Sequence, residues 1–426
     1  MRVFLCVNEV AGFYSGLKAA LQTQGVDVFF ADVGYNPHNY SGSDKPNPIF
    51  RLITWCMRHY RKTPKAHYLM RAIWIMIRTI LMLLLFTWAI RRYDVFFFTH
   101  DSSFLLGYDL PILKLLGKKI IVTFLGSDIR PPYLNGALMW TQEGMGDIEY
   151  CIALTQRMKR RARRIDRYAS VIISHPSYGH FHERSFINFS CVGIPRYSEE
   201  ASPSSPPRTS ETSPIRILHA PSLLASKGTS AIRQAISSLQ QKGHAIDYIE
   251  ITGQPNQVVI KALNECDFVI DQLYSDNYLA GFGSEAAACG KPVVVGTYAI
   301  DYMPHWVSTK FIPPVCACHP NDIEGAIEQM ITDEAYRVAL GQHARDFMSS
   351  CWSLQAVGER MIRIIENTAP AEWMYHPKDI DYVFGYGFPP GQVQKVIAQV
   401  VERGGTEALQ LQDKPDLEQH VIEFVQ

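Results

Sequence analysis

Short, wholly apolar runs alternate along this chain with stretches in which apolar residues recur every three or four positions, the mark of buried strands separated by amphipathic helices. Strands are expected at 2–7, 26–30, 93–99, 119–124 and 170–173. Helices are expected at 17–24, closed by Gly25, and around 110–116. Residues 198–214, rich in Ser, Pro and Glu, carry no apolar anchor and read as a mobile linker. The alternation then restarts. Strands are expected at 215–219, 246–252, 268–270 and 292–295, and helices at 229–241 and near 255–266. Strands without a polar face, each followed by a helix, belong in parallel sheets covered on both sides. The expected fold class is therefore α/β, with two Rossmann-like doubly wound domains at 1–197 and 215–351.

A chain of 426 residues is long enough for two such domains and an appendage. Acidic and basic residues balance at 41 each, so no overall field attracts nucleic acid, and none is expected as a partner. The nine cysteines include no Cys-x-x-Cys pair, which suggests reduced core thiols. Cys316-Ala-Cys318-His319 lacks a fourth ligand at matching spacing, so no metal is expected there. The opening strand lacks the basic lead and cleavage site of a signal peptide.

The densest chemistry lies between Glu265 and Gly296. A strand ending at Asp271 leads through Gly281, Phe282 and Gly283 into a helix carrying Glu285. Such a turn aims backbone N–H groups at one point, which suits a diphosphate. Glu285, expected in the first helical turn, can reach a ribose diol beyond the phosphates. Lys227, before Gly228, supplies a compact cation for the same anion, beside Ser222. Gly12 and Gly16 sit where the first strand turns into its helix, a position for close approach of a ligand.

The strings Ile217-Leu-His-Ala-Pro-Ser222, Lys227-Gly228, Asp271-Gln-Leu273 and Glu285-Ala-Ala-Ala-Cys-Gly-Lys-Pro-Val293 resemble the donor half of GT-B glycosyltransferases of the family 4 type. Phe124-Leu-Gly-Ser-Asp-Ile-Arg130 and Tyr93-Asp-Val-Phe-Phe-Phe-Thr-His100 extend the resemblance over residues 1–365. It implies a cleft between the two domains and a helix at 352–369 crossing back to the first. It also implies retention of anomeric configuration and a histidine, His100, facing the transferred sugar. Asp101, Asp128 and Arg130 would then lie on the acceptor side, although Asp128 and Arg130 equally suit a structural ion pair. Two departures stand out. Where many relatives have a glutamate eight positions before Glu285 the chain has Asn277, and where many have an arginine before the lysine it has Pro221 and Ser222. Phosphate neutralisation would rest on Lys227, the helix N-terminus and Arg130 from across the cleft.

The neutral total hides an asymmetry: no acidic residue occurs between Asp44 and Asp94, a span that holds ten Lys and Arg residues. Within it lies the apolar run 72–90, flanked or punctuated by Arg71, Trp74, Arg78, Trp88, Arg91 and Arg92. Arg78 and the position of the run between strands argue against a membrane span. Cationic flanks and tryptophans at both ends suit an anionic bilayer surface instead; a core helix with a basic rim is the alternative. The tail, 370–426, lies outside the resemblance, and its aromatics are expected on the second domain.

The reading is a glycosyltransferase, peripheral on the inner face of the cell membrane, that moves a sugar from a nucleotide diphosphate sugar to a hydroxyl of a membrane-proximal glycan or lipid-linked acceptor. No cofactor is expected, since no Asp-x-Asp accompanies the donor segment and Asp379-Ile-Asp381 lies in the tail. A nucleotide-sugar 2-epimerase and a non-catalytic nucleotide-sugar-binding protein share the layout.

Overall fold

A computed structural model describes residues 1–7, 9–32, 48–64, 66–99, 103–141, 144–196 and 213–426. His100, Asp101 and most of the expected linker lie outside them. Strands β1 (Arg2–Val7), β2 (Asp27–Asp32), β3 (Val95–Phe98), β4 (Lys119–Thr123), β5 (Val171–Ser174) and β6 (Phe186–Asn188) form a parallel sheet. A second parallel sheet holds β7 (Ile215–His219), β8 (Ile246–Glu250), β9 (Phe268–Ile270), β10 (Val293–Gly296) and β11 (Cys316–Cys318), in the order β8-β7-β9-β10-β11. The tail strand β12 (Met374–Tyr375) closes the first sheet antiparallel to β6, giving the order β12-β6-β5-β4-β3-β1-β2.

The apolar runs are buried on both faces, as parallel strands between helix layers require. In β3, Phe96 and Phe98 join one core, while Val95 and Phe97 join the other, because side chains alternate across a strand. The α/β architecture expected from the sequence is the one observed, with one sheet on either side of a cleft.

Helix α1 (Phe13–Thr23) begins earlier than expected. Gly12, at φ 76°, turns the chain, and Phe13 and Tyr14 are buried, so burial carries the helix back to the turn. This corrects the role given to Gly16. It sits inside α1, and a Cβ there would collide with the Pro195 carbonyl, so its bare backbone serves packing between segments.

Helices α2 (Pro48–Lys62) and α3 (Tyr68–Arg92) form a projecting hairpin. The C-terminal part of α3 is anchored in the core, through Met82, Leu85, Phe86 and Ala89. Further out, Tyr68, Leu69, Ile73, Met76 and Ile80 are exposed, Tyr68 by 72%. By length and composition α3 is apolar enough to cross a membrane. Trp88 does not face outward with them: it packs on Phe29 and Tyr93, both with ring centroids 5.5 Å away, and the Arg92 guanidinium lies over it. Trp74 stacks edge-on against Trp55 at 5.3 Å, and Arg71 donates to the Tyr60 hydroxyl at 2.6 Å. Arg91 binds the Thr87 carbonyl, and Arg78 is half-buried.

The tail divides between the two domains. Helices α4 (Ile148–Tyr168), α8 (Gln392–Gly404) and α9 (Pro415–Val425) share one core in the first domain, which takes in Val396, Ile397, Val400 and Val421. (Between α4 and α8 in chain order fall α5, Thr229–Gln241; α6, Gly281–Ala288; and α7, Leu354–Ile365.) Its aromatics reach the second domain, as expected: Tyr382 and Phe384 lie against Tyr302 at 5.3 and 6.2 Å, and Trp373 meets Phe311 at 6.2 Å. The first domain has a free sheet edge and an apolar α4 face to cover, which the short sequence pattern of the tail does not reveal.

Candidate functional site

The second sheet ends where the chemistry begins. Phe268, Val269 and Ile270 are fully buried in β9, and the chain leaves the sheet at Asp271 before α6 starts at Gly281. Asp271 is 1% exposed, and among the described residues neither carboxylate oxygen has a hydrogen-bond partner. A Cβ on Gly283 would come within 2.7 Å of Asp271 Oδ2, so only glycine lets the first turn of α6 sit over this carboxylate.

Lys227 reaches the same place from the start of α5. Gly228, at φ 71°, lets the chain turn into that helix, and a backbone bond from Leu273 N–H to the Lys227 carbonyl (3.0 Å) ties the two loops together. Lys227 Nζ donates to the Gln272 side-chain oxygen and stands 3.8 Å from Asp271 Oδ1. Burial alone would lower its pKa, but Tyr386 and Asp271 outweigh that and raise it, so the ammonium stays charged.

A cleft of about 930 Å³ opens over these groups, lined by Ser222, Lys227, Asp271, Gly281, Phe282 and Glu285, with Ala11 from the first domain. The structure thus brings together Ser222, Lys227, Gly281, Phe282 and Glu285. Gly283 is buried beneath the turn and does not line the cleft. Asn277 lines an adjoining cavity instead. Glu285 sits in the second turn of α6, not the first, because the glycines themselves form the first turn.

Sequence reasoning missed the cation beside Glu285. Arg196, from the segment that ends the first domain, donates to Ser284 Oγ (3.0 Å) and to the Gly281 carbonyl (3.0 Å), and its Nη1 is 3.5 Å from Glu285 Oε1. Nothing in the local pattern could show this, since the partners are 88 residues apart.

The two acceptor-side candidates after β4 have other employment. Asp128 accepts backbone N–H groups of Leu125 (3.0 Å) and Gly126 (2.9 Å) and closes its own turn. Arg130 crosses between the domains, as expected, but meets a carboxylate rather than a phosphate: its Nε lies 3.1 Å from Asp276 Oδ2, with both side chains buried. Arg130 is thus held by Asp276 beside the cleft. The tail's Tyr386 stacks on this guanidinium at 4.7 Å and hydrogen-bonds Lys227. The appendage therefore reaches the floor of the cleft.

Among the described residues no group of three or more His, Cys, Asp and Glu could hold a metal ion. Cys316 and Cys318 turn their thiols to the Ala326 and Val295 carbonyls.

No protein-family model matches the chain, and no curated protein does. Solved structures do. The catalytic domain of starch synthase IV from Arabidopsis thaliana, bound to ADP and acarbose, is 11% identical with a TM-score of 0.50, over 86% of this chain and 99% of that one. HepE of Anabaena in complex with UDP is also 11% identical, with a TM-score of 0.49, over 86% and 100%. An alpha-glucosyltransferase in complex with UDP-glucose and DNA containing an abasic site shows 11% identity and a TM-score of 0.49, over 86% and 98%. With the two parallel sheets and the cleft between them, the chain has the GT-B fold.

Proposed function

We propose that the chain is a glycosyltransferase that takes a nucleotide diphosphate sugar in the cleft over Asp271. The observation that carries this reading is the convergence of the Lys227 ammonium and the Glu285 carboxylate on one cleft at the N-terminal end of α6. The ammonium and the free N–H groups of α6 would stabilise the departing diphosphate, with no metal called for. Glu285, now beside Arg196, would accept hydrogen bonds from the ribose diol. Asp271 beside Lys227 orients that ammonium. The shared fold with a domain bound to ADP and acarbose agrees with this use of the cleft. Transfer would proceed with retention, the leaving diphosphate helping to deprotonate an acceptor hydroxyl, in the hexosyltransferase manner.

The acceptor is proposed to be a membrane-proximal glycan or a lipid-linked one. The α2–α3 hairpin supports this, because its outer part joins exposed apolar side chains to a run with cations and no acidic residue. The protein would then be peripheral on the inner, cytoplasmic face of the cell membrane.

The test is incubation of the full-length protein with UDP-, ADP- and GDP-sugars. Slow release of nucleoside diphosphate, lost in Lys227→Ala, supports the transferase. A changed sugar points to an epimerase, and saturable binding without turnover to a binding protein.

A further inference from the structure

Beside the nucleotide cleft lies a second cavity of about 780 Å³, which shares Ala11, Ala280 and Gly281 with it as lining. Its walls are largely apolar and aromatic, with Phe13, Phe189, Met303 and Trp352 among them. His175, just past the end of β5, lines the same space and is only 2% exposed.

One edge of this imidazole is committed. Nδ1 accepts the Ser177 backbone N–H at 3.2 Å and lies 2.8 Å from Ser177 Oγ. The Ser177 hydroxyl in turn donates to Asp276 Oδ2 at 3.1 Å, and that carboxylate holds Arg130. Among the described residues Nε2 has no hydrogen-bond partner. Native proteins seldom leave a buried polar nitrogen unmatched, so an orphan on a cavity wall points to a ligand.

The chemistry of that ligand follows from what Nε2 can be. Burial and the neighbouring Arg130 push the His175 pKa down to about 3, so the ring is neutral at ordinary pH. A neutral ring whose Nδ1 accepts the Ser177 N–H carries its proton on Nε2, which calls for an oxygen acceptor and excludes an ammonium. The apolar and aromatic walls favour a neutral hydroxyl over a phosphate or carboxylate. A ring bearing several hydroxyls also offers C–H faces to aromatic walls, so it uses the whole lining.

We infer that this second cavity binds a polyhydroxylated ring and that His175 recognises one of its hydroxyls through Nε2, with the Ser177, Asp276 and Arg130 chain fixing the imidazole in place. The inference deepens the proposed function by naming the group that reads the sugar, and it rests on that reading only for where the ring comes from. Two sources share the chemistry: the sugar of a bound nucleotide sugar, or a separate acceptor sugar.

The experiment has two arms, each on the full-length protein, with His175→Ala and the more conservative His175→Gln, and with Asn277→Ala as a second probe of the same wall. Calorimetry compares UDP, ADP and GDP with their hexose-bearing counterparts. Saturation-transfer NMR follows methyl glucoside, methyl mannoside and methyl N-acetylglucosaminide, with and without saturating nucleotide. The expected result is about tenfold weaker sugar recognition in His175→Ala, partial recovery in His175→Gln, and unchanged affinity for the bare nucleotide. A loss confined to nucleotide sugars assigns the cavity to the donor's sugar, and one confined to free glycosides assigns it to the acceptor. If wild-type protein binds nucleotide but sugars bind His175→Ala within twofold of wild type, the inference fails while the proposed function stands. If no nucleotide binds, the proposed function fails, and the glycoside arm still decides the cavity. Absence of glycoside binding there overturns the inference as well. If His175→Ala does not fold, His175→Gln and Asn277→Ala decide: neither weakening sugar binding overturns it.

Discussion

Arg130 and Asp276 form a buried ion pair across the two domains, with Arg130 Nε 3.1 Å from Asp276 Oδ2 and the side chains 4% and 1% exposed. One partner follows a strand of the first sheet and the other a strand of the second. The pair therefore ties the two halves of the cleft together, and Ser177 and Tyr386 complete its surroundings.

Breaking this pair from one side should be costly. Asp276→Ala leaves a buried guanidinium without its counter-charge and is expected to destabilise the protein by about 3–5 kcal/mol. The double change Arg130→Met with Asp276→Leu removes both charges and should recover a large part of the loss. Urea denaturation of the single and double variants checks both outcomes.

Lys227→Ala should weaken binding of nucleoside diphosphates by about tenfold or more and leave the parent nucleosides unaffected, since only the diphosphate meets the ammonium. Titration calorimetry of UDP against uridine measures the difference. Equal losses for both would mean that Lys227 holds the loop rather than the phosphates.

The tail is expected to be inseparable from the first domain. Truncation after residue 369 would strip the β6 edge and bare the core that holds Val396, Ile397, Val400 and Val421, exposing a large apolar patch. Soluble yield and size-exclusion chromatography should report aggregation. Tyr386→Phe, which removes only the hydroxyl near Lys227, should fold normally and affect nucleotide binding alone.

The α2–α3 hairpin should carry binding to anionic vesicles. Replacing Ile73, Met76 and Ile80 with Glu is expected to abolish co-sedimentation with phosphatidylglycerol vesicles while leaving the melting temperature unchanged, because these side chains are exposed. Binding of the wild-type protein should also fall at high salt, as cation-driven attraction does. Vesicle binding that persists in the triple variant would remove the hairpin from the membrane reading.

Acid should destabilise the fold through two buried histidines. His175 and His180 have pKa values lowered by burial from 6.5 to about 3 and about 4. The unfolded chain thus binds protons that the folded one refuses. Stability is fully present above about pH 6.5 and falls as pH drops towards 4, by at most about 1.4 kcal/mol per pH unit for each histidine. Denaturation curves between pH 7 and 4.5 test this, and His180→Asn should flatten the slope.

What the sequence by itself determined was local. Two-sided burial of runs such as Val95 to Phe98 and Phe268 to Ile270 required parallel strands between helices, and the glycines around Phe282 marked the turn into α6 beside Glu285 and Lys227. The tertiary structure alone decided which distant groups meet: Arg130 with Asp276 across 146 residues, Arg196 with Ser284 across 88, the tail with the first sheet rather than the second, and Trp88 turned inward onto Phe29. The physical reason is range. Periodicity and turn chemistry act between neighbours along the chain and so are written in it, whereas an ion pair or a docked helix depends on how whole layers pack, which no single segment encodes.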